Sequence, residues 1–467
     1  MGFSKLINKM TINKPNYVDI IFYSLFLILC YLCFNQGDIL HAGGSSFTYL
    51  NGHIKDFYDV NKTLMGGAAY LPSTYILFAI WNIPIKLLGI VSQATMNVGY
   101  LIFWYKLLPT IFLVASAYFL YKIGKIIGLS KGNAKLMTII WVSSPILIFS
   151  QFIFGQYDIF TIFFVLAGLY YYLQKKTFLF ILFFGISYTF KYFPLLMFIP
   201  LILLIEKNPL KLIAYTFMSL IPAGIEILFY IGSPAFVSGV WGSDDLLFRI
   251  NQASITIWPG IGIYLFLLIW FIICGICYYI TQSKDRNTFY ERSFYICLAV
   301  CCPLFTLVQW YPQWLLFMTP FVAITTFMSR KTKFFLLLDF LMMISFVGFT
   351  VCIFQNNVDQ QMLTLGILGK FNPNLTNPDI VFRMAQLFSF GVKPVGALRD
   401  IYLTLFCAMM VLNVYFKFPG KSNVWEGDNK LVPVQEYWNY ARLRFFGGIA
   451  VFIIPAFIAY FVTLLAR

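Results

Sequence analysis

The fold of this chain is decided by two short stretches, Phe154-Gly155-Gln156-Tyr157-Asp158 and Tyr188-Thr189-Phe190-Lys191-Tyr192-Phe193-Pro194-Leu195. Each stretch separates two apolar runs, and basic residues lie at the far ends of those runs. The pattern predicts two membrane hairpins whose tips place Asp158 and Lys191 at the same depth, on the face opposite the basic loops. Because a charge at membrane depth is costly and usually functional, the tips predict a polar site on the outer side of a membrane protein.

The composition agrees with a membrane protein. The 467 residues are 60% hydrophobic and only 11% charged, whereas a soluble domain carries about 25% charged residues. The net charge of +15 comes from Lys and Arg in short loops between apolar runs, which is typical of cytoplasmic membrane loops and not of nucleic-acid binding. The nine cysteines lie in apolar runs without metal-binding spacing, so no metal site is expected.

With the basic amino terminus placed inside, apolar runs of sufficient length predict an all-α, polytopic membrane protein with about thirteen transmembrane helices. The lysines between 122 and 135 stay inside only if segment 70–91 does not cross. The prolines and polar residues of that segment fit a re-entrant or interfacial element lining a cavity. The predicted spans include 18–35, 136–155, 212–231, 256–281 and 311–329. The predicted outer loops include 36–69 and 355–396, and the chain divides into a catalytic module, 1–330, and additional helices, 331–467.

The second hairpin is short. Its arms, 177–190 and 192–205, reach roughly 21 Å at about 1.5 Å per residue, which is less than a hydrocarbon core of about 30 Å. Lys191 is therefore expected below the outer surface, in a cavity lined by protein.

Polar chemistry collects on the predicted outer face, and familiar soluble catalytic motifs are missing from the sequence. It contains no phosphate-binding glycine-rich loop, no HExxH and no GxSxG. A reaction at this face must use a substrate that is already energised, most simply a lipid-linked one. The polar residues expected there are Asp38, His41, His53, Asp56, Asp59, Gln156, Asp158, Lys191, Asp244, Asp245, Arg249, Gln309 and Gln313.

The order of these pieces resembles the GT-C superfamily of integral-membrane glycosyltransferases, which use polyprenyl-phosphate sugars. It looks closest to the bacterial polyprenol-phosphate-mannose-dependent mannosyltransferase-like branch. Leu71-Pro72 stands where many relatives have a double proline. The matching pieces are Gly37-Asp38, Ala69-Tyr70-Leu71-Pro72-Ser73-Thr74-Tyr75, Gly155-Gln156-Tyr157-Asp158, Phe190-Lys191-Tyr192-Phe193-Pro194 and Gln313-Trp314-Leu315-Leu316.

The resemblance implies a reaction and a location. A sugar would move from a polyprenyl-phosphate donor to a lipid-linked glycan or glycolipid acceptor, without a metal or another cofactor. The expected partners are these two substrates and membrane lipids. The protein is expected in the bacterial inner membrane, with its active site facing the periplasm or the outside.

The resemblance also implies roles for charged residues. An acidic residue of the first outer loop would accept the proton of the acceptor hydroxyl, because a neutral hydroxyl is a poor nucleophile. Asp38, at the end of the first span, is the preferred base, and Asp56 and Asp59 in the same loop are alternatives. Lys191 is expected to bind the donor phosphate, whose developing charge needs a cation or hydrogen-bond donors.

Other substrate-binding candidates surround these residues. Gln156 is expected to bind phosphate or sugar, and Asp158 either holds Lys191 or binds a sugar hydroxyl. Arg249 is a second phosphate candidate, and Trp310, Tyr311 and Trp314 are candidates for stacking on a sugar. The remaining candidates are His41, Gln309 and Gln313.

Two other classes of function remain open at the sequence level. A flippase or secondary transporter for a lipid-linked or anionic substrate would use Lys191 and Asp158 as midplane charges, although the polar residues gather on one side. A polymerase or ligase of the O-antigen type relies on arginines in large outer loops, and the outer loops here are poor in arginine.

Overall fold

The computed structural model describes residues 17–91, 99–242, 249, 252–281, 283, 285–329, 331–353, 365–372, 395–419, 438, 441–447, 454 and 461. Within these ranges the chain is helical except for one two-stranded sheet. Short π turns follow α8 and α13, at Phe149–Ile153 and Val237–Trp241. The helices in chain order are α1 (Tyr17–Cys33), α2 (Gly37–Ser45), α3 (Phe47–Leu50), α4 (Phe57–Met65), α5 (Pro72–Leu87), α6 (Ile102–Ile126), α7 (Lys131–Val142), α8 (Pro145–Ile148), α9 (Ile159–Leu173), α10 (Thr177–Tyr188), α11 (Phe193–Ile205), α12 (Pro209–Tyr230), α13 (Pro234–Phe236), α14 (Leu265–Tyr279), α15 (Arg286–Leu307), α16 (Thr319–Met328), α17 (Thr332–Ile353), α18 (Ile367–Phe371) and α19 (Val395–Phe416).

Four helices in the described ranges are long and apolar enough to cross a membrane, namely α6, α12 and most of α17 and α19. The number rises to at most six if each of two bent pairs is one span: α1 with α2–α3, bent by 74°, and α7 with α8 and its π turn, bent by 51°. The predicted number of about thirteen is not confirmed, because α9, α10, α11 and α14 are shorter than the about 20 residues of a straight span. The architecture fits an all-α protein built into a membrane.

The helices alternate in direction, so charge is sorted between the two ends of the bundle. We call the end that holds Asp38, Asp158 and Lys191 the site face, and the other end the basic face. Helix α9 leaves the site face after Asp158, and α10 returns to it before Lys191. The turns at the opposite end carry the cations expected on one side of a membrane. Those of the basic face include Lys122, Lys125, Lys131, Lys135, Lys175, Lys176, Lys207, Lys211, Arg286, Arg292 and Lys331.

Two predicted spans begin differently in the structure. The predicted span 256–281 begins with strand residues, since residues 254–264 form the antiparallel strands β1 (Ser254–Trp258) and β2 (Ile261–Tyr264). The β-branched Ile-Thr-Ile run followed by Pro-Gly favours a hairpin, and Gly260 has φ of 79° in the turn. The predicted span 311–329 begins as a 3₁₀ helix, Pro312–Met318, before α16.

Helix α5 covers most of segment 70–91 and stays near the site face. The side chain of Asn82 donates hydrogen bonds to the carbonyl of Gly43 (3.2 Å) and the hydroxyl of Ser46 (2.9 Å) in the α2–α3 region. The ring of Trp81 stacks on that of Trp104, at the start of α6, with 4.6 Å between centroids. These contacts are compatible with a segment that does not cross.

An aromatic cluster fixes the two hairpin tips against each other. Phe78 of α5 contacts Tyr157 and Phe160 at centroid distances of 5.8 Å, and Phe160 contacts Phe190 at 5.6 Å. All four rings are buried, and edge-to-face contacts of this kind add to the area they bury. The polar residues between the tips therefore lie against a layer of packed aromatic side chains.

Candidate functional site

Lys191 and Asp158, the charged residues of the two hairpin tips, form an ion pair. Nζ of Lys191 lies 3.3 Å from Oδ1 of Asp158, and the two side chains are only 13% and 10% exposed. The ammonium group also faces the ring of Tyr70 at 4.6 Å and the ring of Trp314 at 5.3 Å. Cation–π contacts of this kind strengthen when they are desolvated. Lys191 is thus a positive charge held in one place by three side chains.

Asp38 lies beside this pair, in the first turn of α2 and beyond the end of the α1 span. The side chain of Gln36 caps α2 by accepting a hydrogen bond from the backbone N–H of Asp38. The carboxylate of Asp38 accepts hydrogen bonds from Gln36 and Gln156 and lies in the field of Lys191 and His41. Burial nevertheless raises the pKa of Asp38 above its ordinary value. A carboxylate with a raised pKa is a stronger proton acceptor than a solvated one.

The turn at Gly155 places Gln156 next to Asp38. Gly155 adopts φ of 73°, in the left-handed region that favours glycine. The backbone N–H of Gln156 donates to the carbonyl of Ser150 (2.8 Å), inside the π turn. Such π turns are frequent at functional sites. The side chain of Gln156 is almost fully buried, so its contact with Asp38 is shielded from water.

A second buried lysine, Lys106, lies beneath the site and was missed by sequence reasoning. Its Nζ donates to the carbonyls of Tyr31 (2.9 Å), Phe34 (2.6 Å) and Phe152 (2.6 Å). These carbonyls belong to the end of α1 and to the π turn, so Lys106 ties together the segments that carry Asp38 and Gln156. The available signal in the sequence was this lone lysine inside the apolar run of α6. The run was interpreted only as part of a membrane span.

Arg249 and the 311–314 turn complete the cationic side of the site. The guanidinium carbon of Arg249 lies 4.6 Å from the ring centroid of Tyr311 and 5.2 Å from that of Trp314. Lys191 contacts the same Trp314 ring. The two cations therefore lie next to one shared aromatic side chain. Gln313 is buried, and its side-chain oxygen has no hydrogen-bond partner among the described residues.

The other predicted acidic bases lie outside this cluster. Asp56 is exposed and accepts a hydrogen bond from Nδ1 of His53 (2.9 Å), and that bond lowers the pKa of the Asp56 carboxyl. Asp59 is exposed and accepts a hydrogen bond from the backbone N–H of Ala235 (3.3 Å). Their carboxylates are occupied by contacts that hold the loop in place, so neither meets Lys191.

Three further candidates have distinct surroundings: Trp310 is buried in the bundle, Gln309 is exposed, and His41 lies near Asp38. Trp310 is buried against Phe349 and Phe406, at 5.1 and 5.6 Å between centroids, so its ring packs into the bundle and cannot stack on a sugar at the site. Gln309 is exposed to solvent or lipid. His41 places Nε2 at 3.0 Å from the carbonyl of Met65 while its charge reaches Asp38.

Glu226 is a second residue that sequence reasoning missed. This carboxylate projects from α12 and accepts hydrogen bonds from the hydroxyl and backbone N–H of Ser73, at the start of α5. It interacts electrostatically with Tyr192, the neighbour of Lys191. Its second oxygen is buried without a hydrogen-bond partner in the described part of the chain. A single glutamate inside the predicted span 212–231 was the available signal.

The described side chains bring together two carboxylates whose pKa burial raises, Asp38 and the Lys191-paired Asp158, with two cations and several amides. Such a set can accept a proton and stabilise a negatively charged leaving group. Across the described ranges, no three His, Cys, Asp or Glu side chains are grouped closely enough to hold a metal ion.

Comparison with known proteins places this arrangement in a family. Neither the curated proteins nor the solved structures gave a match. The model of glycosyltransferase family 87 matches residues 69–329, which is more than half of the chain and includes Asp158, Lys191, Arg249 and Trp314. Asp38 precedes the matched region. The chain belongs to glycosyltransferase family 87, a GT-C-like family of membrane glycosyltransferases.

Proposed function

We propose that this glycosyltransferase moves a sugar from a polyprenyl-phosphate donor to a glycan or glycolipid acceptor, with Asp38 as general base. Lys191 and Arg249 bind the donor phosphate, and Gln156 orients Asp38. The observation that carries the proposal is the position of Asp38 in the field of Lys191, a cation that shares the Trp314 ring with Arg249.

The proposed reaction follows from the carboxylate of Asp38 and the positive charges of Lys191 and Arg249. The acceptor hydroxyl attacks the anomeric carbon while its proton passes to a carboxylate oxygen of Asp38. The bond between the anomeric carbon and the phosphate oxygen breaks, and its electron pair leaves with the polyprenyl phosphate. The phosphate thereby changes from a singly charged diester to a monoester carrying up to two charges. Fixed cations in a dry site stabilise this increase more than water would, which favours Lys191 and Arg249 as its ligands.

Partly buried aromatic groups support a sugar subsite between the base and the cations. Tyr70 packs edge-to-face on Tyr157 at 5.3 Å and presents its own ring to Lys191. Trp314 presents a second ring to the same cation. We propose a hexose as the transferred unit, with mannose as the first candidate.

The distribution of cations supports an orientation. Most described lysines and arginines of the helix turns lie at the basic face. The exceptions on the side of Asp38 include Lys55, Lys62, Lys86 and Lys370. Positive loops remain on the cytoplasmic side of a membrane. We therefore propose that the site face is extracytoplasmic, in a bacterial inner membrane, where a lipid-linked donor is accessible.

The decisive experiment is a transfer assay with purified protein and a panel of polyprenyl-phosphate sugars. We expect Asp38→Asn to lower turnover by about 100-fold or more, since general bases contribute roughly 10²–10⁴-fold, while donor binding is retained. Asp56→Asn, which removes an exposed carboxylate of the same loop, is the matched control and keeps its activity. Full activity of Asp38→Asn would reject this base, and activity only with nucleotide sugars would reject the donor class.

A further inference from the structure

A cavity of about 560 Å³ opens at the basic face, far from the proposed reaction. It lies between the α9–α10 turn and the start of α15, and its volume is in the range of small-ligand pockets, about 300–1,000 Å³. Since its residues lie at the opposite end of the bundle from Asp38, the transfer reaction does not explain it. Its lining is Ile126, Tyr172, Leu173, Gln174, Lys175, Lys176, Thr177, Ile205, Ser283, Arg286, Phe289 and Tyr290.

The cavity is positively charged. Lys175, Lys176 and Arg286 line it, and no acidic residue is among its lining residues. Asp285, the neighbour of Arg286, accepts hydrogen bonds from the backbone N–H and hydroxyl of Thr288 (2.8 and 2.7 Å). Among the described residues, Lys175, Lys176 and Arg286 therefore line the cavity without a carboxylate on its wall.

The nearest acidic residue on the α11 side is also engaged elsewhere. The carboxylate of Glu206 accepts hydrogen bonds from the backbone N–H groups of Lys207 and Asn208, each at 2.9 Å. Its other oxygen lies 3.8 Å from Nζ of Lys211. Glu206 is therefore directed to its own turn and does not neutralise the cavity.

The remaining lining is apolar and lies at the ends of membrane helices. Ile126 ends α6, Leu173 ends α9 and Ile205 ends α11, while Phe289 belongs to the first turns of α15. The ring of Phe289 stacks on Tyr172 at 5.3 Å. A ligand at this depth meets cations and polar groups on one side and hydrocarbon on the other. Basic pockets between transmembrane helices on the cytoplasmic side suit phosphate-bearing headgroups.

We propose that this cavity binds the phosphate headgroup of an anionic phospholipid such as phosphatidylglycerol. Lys175, Lys176 and Arg286 contact the phosphate, and Ile126 and Ile205 contact the beginning of the acyl chains. An aqueous phosphate offers the same charge but leaves the apolar wall uncovered. The site is independent of the proposed transfer reaction, so either can fail without the other.

The test measures lipid retention by native mass spectrometry. The full chain, purified in a neutral detergent, is titrated with dioleoylphosphatidylglycerol, dioleoylphosphatidylcholine or inorganic phosphate. We expect one phosphatidylglycerol to be retained at concentrations at which phosphatidylcholine is not, and inorganic phosphate not to displace it. In the variant Lys175→Gln/Lys176→Gln/Arg286→Gln, we expect retention to weaken roughly 100-fold, at about fivefold for each cation.

The control removes the same charge from the same face outside the cavity, in the variant Lys131→Gln/Lys135→Gln/Lys331→Gln. We expect it to retain lipid as the unmodified chain does. The single variant Lys175→Gln gives an intermediate loss. Equal loss in the control would mean diffuse attraction to a basic surface. Equal retention of phosphatidylcholine, or displacement by inorganic phosphate, would also overturn the assignment to an anionic lipid.

Discussion

At the scale of single residues, Asp38 differs from Asp56 and Asp59 in what surrounds its carboxylate. All three lie in the loop predicted to hold the base, and residue type alone does not separate them. Asp38 is partly buried next to Lys191 and Gln156, whereas the other two are exposed, Asp56 binding His53 of its own loop and Asp59 the backbone N–H of Ala235. Burial is the property that makes a carboxylate a better base at neutral pH.

The pH dependence of transfer tests this environment. Activity requires ionised Asp38, so kcat/KM falls as the pH drops through the pKa of that carboxyl. Burial raises this pKa, and the hydrogen bond from Gln156 lowers it. We therefore expect Gln156→Leu to move the acid limb of the kcat/KM profile to higher pH. The exposed Gln309→Leu serves as control, and an unmoved limb in Gln156→Leu would contradict the contact.

Lys191 is predicted to act on the donor phosphate. Removal of one positioned charge-stabilising group typically costs about 10²–10³ in rate. We expect Lys191→Gln to lower kcat/KM for a polyprenyl-phosphate sugar by about 100-fold, with weaker donor binding in a direct titration. Lys191→Arg keeps the charge and recovers part of the activity. The control, Lys135→Gln, removes a cation from the basic face, and an equal loss there would rule out a specific phosphate contact.

At the scale of elements, the site depends on how helices end. The bend after α1, the π turn after α8 and the turn between α10 and α11 each bring one polar group to the site face. Hydropathy predicted the apolar runs but not these breaks, because it measures partition into a membrane and not backbone conformation. The hairpin at 254–264 was missed for the same reason, although its β-branched residues and Pro259-Gly260 turn were visible.

Lys106 allows a test at this scale. Replacing it with Met leaves three buried carbonyls without their donor, and each unsatisfied group costs about 1–3 kcal/mol. We expect Lys106→Met to lower the free energy of unfolding by about 3 kcal/mol or more, and to reduce kcat because Asp38 and Gln156 lose their common anchor. The free energy is measured by denaturant titration in detergent.

The matched control for Lys106 is Lys122→Met, which alters a partly exposed lysine of the same helix, α6. We expect it to change stability and kcat little. If Lys106→Met lost stability but kept the kcat of the folded fraction, Lys106 would support the fold without positioning the site.

At the scale of the whole molecule, a buried ion pair joins two distant parts of the chain. Arg444 places a guanidinium nitrogen 2.7 Å from Oδ2 of Asp339 in α17, and both side chains are buried. Lys417, which follows α19, adds a third charge that acts on Asp339. Its Nζ donates to the hydroxyls of Thr325 (2.9 Å) and Thr326 (3.0 Å) in α16. The helices after residue 330 are thereby tied to α16, which precedes it.

Breaking this pair tests whether the carboxy-terminal part supports stability alone. Asp339→Asn leaves two buried cations without their carboxylate, and removing one partner of a buried pair costs about 3–5 kcal/mol. We expect a loss of that size in thermal or denaturant unfolding, with unchanged kcat of the folded protein. The double variant Asp339→Leu/Arg444→Met recovers part of the stability. A loss of kcat in a fully folded variant would indicate that these helices also shape the site.

The amino-acid sequence was sufficient to predict the membrane class, the order of the polar pieces and the equal depth of Asp158 and Lys191, while the role of Asp158 stayed open. These predictions follow from the composition and from the positions of charged residues along the apolar runs, both of which can be obtained from the sequence alone. The folded structure was needed to show that Asp158 pairs with Lys191 and that Asp38, unlike Asp56 and Asp59, lies beside this pair. It was also needed to show that Trp310 packs inward while Trp314 faces two cations, and that Lys106 joins α1 to the π turn. These outcomes depend on which side of a helix meets a distant segment, and hydropathy along the chain carries no information about such contacts.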